Sequence, residues 1–332
     1  MMNRLAYILM VIGLFVLTSS DKSTTIFIIG DSTAADKQNP QTNPERGWGM
    51  MLQGHFDRHV RVENHAVNGR SSKSFISEGR WDEVLRRLKP GDYVIIQFGH
   101  NDEKTDTLRH TEPGTTFDAN LRRFARETLD RGAHPILMNA VVRRNFFQAS
   151  DGSAEDEALR NTKYEDEQVN SDTLIDTHGA YLLSPRRVAE ELGVTFIDAN
   201  RITHDLEQGL GIEGSRLLHM WYRPGEVASI PNGRHDNTHY NVVGASMVAC
   251  LLADAIAEKV KALRRHVRHY DYVVSSSGRG NFLSVEEALK AVPSGQKTTI
   301  LLLDDTPVPA SLPAGKRVRF LRWSSGKKMG II

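Results

Sequence analysis

The strongest constraint on the fold is an alternation. Five short apolar, β-branched runs recur along the chain: "TTIFII" (24–29), "VRVENHAV" (60–67), "DYVIIQF" (92–98), "HPILMNAVV" (134–142) and "VTFIDA" (194–199). Helix-like stretches lie between them at Trp81–Leu88, Phe117–Arg131 and Tyr181–Leu192, and a long one, Asn241–Leu263, closes the series. Mostly continuous apolar runs predict strands covered on both faces, and strands separated by helices predict a parallel sheet. The expected architecture is α/β: a parallel five-stranded sheet between two helical layers. Such sheets take ligands outside the carboxyl ends of their strands, near the switch point. The residues that follow each strand are therefore the place to look for chemistry.

Polar clusters stand at those places. The first run leads into "GDSTA", which carries Ser32; the second leads into "NGRSSKSF", which carries Gly69; the third leads into "FGHND", which carries Asn101. "HDNTHY" (235–240) precedes the last helix and holds His235, Asp236 and His239. Each motif is weak alone, because Gly-Asp-Ser is most often a turn and Gly-His-Asn-Asp most often a polar loop. Together they place three polar clusters at strand ends and add a carboxylate–imidazole pair.

This set resembles the SGNH (GDSL-type) hydrolases, whose four named residues correspond to Ser32, Gly69, Asn101 and His239. "EGRWDEVL", "LKPGDYVIIQFGHND", "TEPGTTFDANL" and "DNTHYN" are similar to the rhamnogalacturonan acetylesterase branch, and the likeness runs from about Thr24 to Leu263. The resemblance implies a flavodoxin-like three-layer fold and deacetylation of pectic polysaccharide.

The residues support that chemistry independently. A serine hydroxyl is a poor nucleophile until a base takes its proton. Imidazole titrates near neutrality, so His239 is the candidate base for Ser32. Asp236, three residues earlier, can hold the far ring nitrogen and stabilise the imidazolium. The tetrahedral intermediate then needs donors for its oxyanion. The backbone N–H groups of Ser32 and Gly69 and the side-chain amide of Asn101 suit that task. His235, Asp236 and His239 could instead form a two-histidine, one-carboxylate metal set. One carboxylate cannot readily serve a metal and orient His239 together, so no metal and no cofactor is assigned, and His235 is expected near the cleft without a role. His100, His110 and His178 receive none.

Arg70, Arg143, Arg144 and Arg234 fall in loops at the expected strand ends. Arginine pairs bidentately with carboxylates such as galacturonate, which makes them substrate-binding candidates. Trp221, in "LLHMWYRPGE", could stack on a sugar or pack on its own domain. Ser150–Asp172, acid-rich, is expected as a surface excursion.

The ends of the chain differ from its centre. Arg4 followed by the apolar run Leu5–Leu17 and Thr18-Ser19-Ser20 has the three-part pattern of a secretory signal peptide over 1–20. Export to the periplasm or exterior is expected, without stable membrane insertion once the signal is removed. A net charge of +1 offers no support for nucleic-acid binding. The sole cysteine, Cys250, lies in "MVACLLADAIA" and is expected to be a buried, inert thiol. The esterase domain is assigned to 21–263 and a linker to 264–271. Residues 259–332 hold 14 Lys and Arg against five Asp and Glu, a marked shift in composition. "YVVSSSGRGNFLSVEEALKAVP" and "KTTILLLD" resemble the opening of a pectin methylesterase, a parallel β-helix, but 272–332 is too short to stack the coils such a fold needs. That segment is expected as a β-rich, poorly ordered, non-catalytic remnant.

The reading is thus an exported serine esterase whose partner is an acetylated pectic polysaccharide. Acetylated xylan is the alternative substrate, and a catalytically silent pectin-binding module the alternative function.

Overall fold

The structure, a computed structural model, describes residues 23–148 and 167–323. The expected signal segment and most of the acid-rich excursion lie outside the described residues. The elements follow in order: β1 (Thr24–Gly30), α1 (Trp48–Met51) with a 3-10 turn at Leu52–His55, β2 (Val60–Asn64), α2 (Ser72–Ser77), α3 (Arg80–Arg87), β3 (Tyr93–Gln97), α4 (Thr116–Asp130), β4 (His134–Met138), α5 (Leu183–Leu192), β5 (Thr195–Ile197), α6 (Ala199–Arg216), α7 (Val242–Lys259), α8 (Lys261–Arg264), β6 (Tyr272–Val274), α9 (Val285–Ala291), β7 (Lys297–Leu302) and β8 (Arg317–Arg322).

The first five strands form one parallel sheet in the order β2-β1-β3-β4-β5. Side chains alternate across it, as a pleated strand requires. Ile26 and Ile28 of β1 join Trp48, Leu52, Val248, Leu252 and Ile256 on one face. Phe27 and Ile29 join Phe75, Trp81, Leu121, Phe124 and Val188 on the other. Both faces are buried, which is why the strands read as continuous apolar runs.

The apolar run 134–142 overshoots its strand. After Met138 the chain leaves the sheet, and its polar groups find other partners: Asn139 Nδ2 donates to Asp198 at 2.8 Å and Val142 N–H to Thr203 Oγ1 at 2.9 Å. Helix α6 escaped the sequence reading because three glycines interrupt its pattern. One of them, Gly211, breaks the helix with φ +67°. The long closing helix divides at Val260, whose backbone is not helical.

Strand order makes the site. The chain passes from β1 outward to β2, then back across β1 to β3, so the loops after β1 and β3 depart to opposite sides of the sheet. A crevice opens at the carboxyl ends of this pair. Ser32 and Asn101 follow those two strands directly, and Gly69 lies in the loop after neighbouring β2.

The segment expected from residue 272 onward is β-rich as anticipated, but through residue 323 it is folded rather than poorly ordered. Strands β6, β7 and β8 form a second parallel sheet, with Val274, Ile300, Leu302 and Phe320 packed on Val285 and Leu289 of α9. Short length did not prevent order, because the segment also leans on the larger domain. The expected linker is seated there: Asp57 N–H donates to His266 O and Arg268 N–H to His55 O, both at 2.9 Å. A Cβ at Gly54 would meet Val273 at 3.0 Å, so Gly54 lets the two parts close up. Arg46, almost fully buried, donates from Nε to Gly278 O at 3.1 Å, and Asn281 Nδ2 donates to Ser246 Oγ at 2.7 Å. Cys250 also departs from expectation: it is half-buried on α7 rather than in the core.

Candidate active site

Ser32 is held by the turn that ends β1. A Cβ at Gly30 would sit 2.7 Å from Gln97 O, so only glycine lets β1 run this close to β3 at its last pair. Asp31 turns inward and accepts from Thr33 N–H at 2.9 Å and from Thr33 Oγ1 at 2.8 Å, which tightens the turn around Ser32. Burial raises the Asp31 pKa, and its bonds to Thr33 offset only part of that rise.

His239 and Asp236 come from the turn before α7. Asp236 Oδ1 accepts the backbone N–H groups of Thr238 and His239, both at 2.9 Å. The aspartate therefore shapes the turn that carries its own partner, and this is the physical content of the three-residue spacing. Asn241 caps the helix that follows, its side-chain oxygen accepting from Val243 N–H at 2.9 Å and Gly244 N–H at 3.1 Å. His239 Nδ1 lies 2.9 Å from Asp236 Oδ2, and its Nε2 lies 2.8 Å from Ser32 Oγ. With Nδ1 protonated toward the carboxylate, Nε2 is left to accept from the serine hydroxyl. Burial alone would raise the Asp236 pKa, but His239 and Arg234 hold it well below the usual carboxylate range.

The strand-end loops are tied to one another. Lys37 Nζ donates to Ser32 O and to Asn68 Oδ1, both at 2.7 Å, joining the first loop to the second. Asn101 Nδ2 donates one hydrogen to Arg70 O at 3.2 Å, joining the third loop to the second and leaving its other amide hydrogen available. Gly69 has φ +73°, a conformation that disfavours side chains, and nothing lies within 4 Å of where a Cβ would stand. Its backbone is thus open to a ligand. The arrangement can polarise a hydroxyl at Ser32 and present N–H donors from adjacent loops.

Three acidic and basic residues of the site, Glu45, Lys37 and Asp102, had no legible sequence signal. Glu45 pairs with Lys37 and with Arg234, each at 2.8 Å. Burial pushes its pKa up, but His239, Lys37 and Arg234 prevail and hold it at about 2. Lys37 and Glu45 sit in the polar loop "ADKQNPQTNPERG", where no spacing marks them. Asp102, fully buried beside Asn101, accepts from Ser72 N–H at 3.1 Å and Thr111 Oγ1 at 2.8 Å, and burial pushes its pKa up to about 7. It fastens the third loop to α2.

The substrate candidates separate by exposure. The Arg144 side chain is fully buried, its guanidinium paired with Glu167 and donating to Ile212 O at 2.7 Å. Arg143 is 10% exposed and pairs with Glu103. Both therefore sit as struts beneath the strand-end face, contrary to the expectation that they contact substrate. Arg234 is 21% exposed and engaged with Glu45 and Asp236, so it supports the aspartate. Arg70, 34% exposed and paired with Glu78, offers the most accessible of these guanidinium groups. Trp221 packs on its own domain: its ring lies 3.6 Å from that of His235, 5.4 Å from the Arg144 guanidinium and 5.1 Å from that of Arg216. His235 is buried beneath it. A cation held by the "HDNTH" turn would have to displace the His239 and Arg234 contacts of Asp236, so the turn is built for an ion-pair network.

A 2-1-3-4-5 parallel sheet with a serine–histidine–aspartate chain at its switch point defines a flavodoxin-like ester hydrolase of the SGNH class. The GDSL-like Lipase/Acylhydrolase family matches residues 26–252, and the chain belongs to that family. Rhamnogalacturonan acetylesterase RhgT of Bacillus subtilis (strain 168) is 37% identical over 246 residues, which is 74% of this chain and 95% of that protein. The rhamnogalacturonan acetylesterase of Emericella nidulans is 26% identical over 276 residues, 77% of this chain and 94% of that one. The crystal structure of protein YxiM from Bacillus subtilis superposes with a TM-score of 0.55 at 26% identity, over 71% of this chain and 56% of that one.

Proposed function

We propose that this esterase is a carbohydrate acetylesterase that removes acetyl groups from pectic rhamnogalacturonan through an acetyl-enzyme on Ser32. The observation that carries the chemistry is the unbroken chain Ser32 Oγ, His239 and Asp236, with bonds of 2.8 and 2.9 Å. The substrate class rests on the relatives named rhamnogalacturonan acetylesterase, one of which aligns over 95% of its length.

The geometry supports the following steps. Ser32 Oγ attacks the acetyl carbonyl carbon as its proton passes to His239 Nε2. Asp236 stabilises the imidazolium from the opposite side of the ring. The oxyanion is received by the Ser32 and Gly69 N–H groups and by the Asn101 amide hydrogen that Arg70 O does not take, each donor contributing on the order of 3 kcal/mol. The tetrahedral intermediate collapses, the sugar oxygen leaves and takes the proton from Nε2, and acetyl-Ser32 remains. Water, deprotonated by His239, repeats the sequence and releases acetate. Arg70, at the rim, is the guanidinium best placed to meet a galacturonate carboxylate.

Export through the N-terminal segment is part of the proposal, because a polysaccharide substrate lies outside the cell. Among the described residues no helix is long and apolar enough to cross a membrane. The test is acetate release across a panel of acetylated polysaccharides. The highest kcat/KM is expected on rhamnogalacturonan. Preference for acetylated xylan would overturn the substrate, and polysaccharide binding without any acetate release would overturn the enzyme.

A further inference from the structure

Away from the ester site, three potential metal ligands converge. They are His55, the last residue of the 3-10 turn after α1; Cys250, in the middle of α7; and His269, in the segment that leads to β6. One nitrogen from each imidazole and the Cys250 sulfur all lie within 4.8 Å of one another. Cys250 Sγ is 3.6 Å from His269 Nδ1. Tetrahedral zinc, with a Zn–S bond of ~2.3 Å and a Zn–N bond of ~2.05 Å, sets a sulfur and a nitrogen ligand ~3.6 Å apart.

Two further observations point the same way. The Nδ1 of His55 is buried and makes no hydrogen bond, a costly arrangement unless something else engages it. His269 turns its other nitrogen, Nε2, to Asp254 Oδ1 at 3.0 Å, one helical turn beyond Cys250 on α7. A carboxylate that accepts from the far nitrogen of a histidine fixes the tautomer a metal requires and raises the basicity of the ligating nitrogen.

We propose that His55, Cys250 and His269 bind one divalent zinc-class cation, which staples the C-terminal β6–β8 module to the esterase domain. Binding displaces the Cys250 thiol proton and uses the lone pairs of His269 Nδ1 and of one His55 ring nitrogen, while His269 Nε2 keeps its hydrogen and donates it to Asp254. Two of the ligands belong to the esterase domain and the third to the segment that leads into the module. Arg268 N–H already donates to His55 O at 2.9 Å, so the backbone brings the third ligand into range without metal. His269 is exposed at the edge of the cluster, which leaves the fourth position to water.

The test uses the full chain, tag-free and stripped of metal. It is titrated with Zn2+ against a chromophoric chelator, and separately with Co2+. One equivalent of Zn2+ is expected to bind and to raise the thermal unfolding midpoint, reversibly with chelator. Affinity is expected to fall at least ~10-fold in Cys250→Ser and in His269→Ala, and by ~10–100-fold in Asp254→Asn. Circular dichroism of the three variants checks that each retains its fold. The Co2+ protein should show a thiolate-to-metal charge-transfer band that Cys250→Ser lacks. Absence of stoichiometric binding would overturn the proposal, and so would a Cys250→Ser variant that keeps wild-type affinity.

Discussion

Asp236 shows how much one side chain can carry. It accepts two backbone N–H groups that shape the turn, holds the His239 ring, and is itself held by Arg234. Asp236→Asn keeps the size of the group but turns an amide toward His239 and permits the wrong tautomer. The expected loss in kcat is on the order of 10³–10⁴-fold with the far-ultraviolet dichroism unchanged; a loss of less than tenfold in steady-state acetate release would show that the aspartate is dispensable. Glu45 is the clearest pH-sensitive group. Its folded pKa of about 2 lies below its ordinary 4.5, so the stabilisation it gives is present above 4.5 and is lost as pH falls through about 2. The span corresponds to ~3 kcal/mol. Acid unfolding followed by denaturant midpoints should therefore be flatter between pH 5 and pH 2 in Glu45→Gln, relative to its own neutral value, than in the wild type (a window read from that shift). Parallel curves would show that Glu45 contributes nothing. Asp236 could be found in the sequence because its partner stands three positions away. Glu45 could not, because its partners Lys37 and Arg234 are joined to it only by folding.

Elements place the site as much as residues do. Helix α7 begins two residues after Tyr240, and its Asn241 cap fixes where His239 ends up. Asn241 also donates to Leu217 O at 2.9 Å and His219 O at 3.0 Å, tying the helix start to the segment after α6. Asn241→Ala is expected to cost ~1–2 kcal/mol in global stability and to lower kcat through a less well held His239. Urea unfolding measures the first and steady-state acetate release the second; unchanged values in both would contradict the cap's role. At this scale the sequence was legible wherever burial on both faces produced an apolar run, as in β1 and β3. It misled where burial outlasted the strand, since Val141 and Val142 are in the core while their backbone has left the sheet. It was silent on α6, where glycines dilute a helical pattern that tertiary packing nevertheless enforces. Arg143 and Arg144 were placed correctly after β4 but given the wrong task. Sequence position locates a loop, whereas Glu103 and Glu167, from distant segments, decide which way the side chain turns.

The whole molecule joins an esterase domain to a small β module through contacts that reach toward the site. Arg46 anchors Gly278 of the module and stands next to Glu45, and Arg279 pairs with Asp36 beside Lys37, at 3.2 Å. Val273, nearly buried, packs on Gly54. Val273→Asp would place a carboxylate in that apolar contact and is expected to lower the thermal midpoint by several degrees, with partial loss of acetylesterase activity. A melt identical to the wild type would show the module to be an independent appendage. The central claim concerns Ser32, and rapid quenching tests it most directly. The protein is mixed with an activated acetyl ester, stopped in acid, digested and analysed by mass spectrometry. The account predicts one acetyl group on the peptide that carries Ser32, formed in a burst, and none in Ser32→Ala, which should also release no acetate. Acetate release by Ser32→Ala at the wild-type rate, or an acetyl group on a different residue, would contradict it.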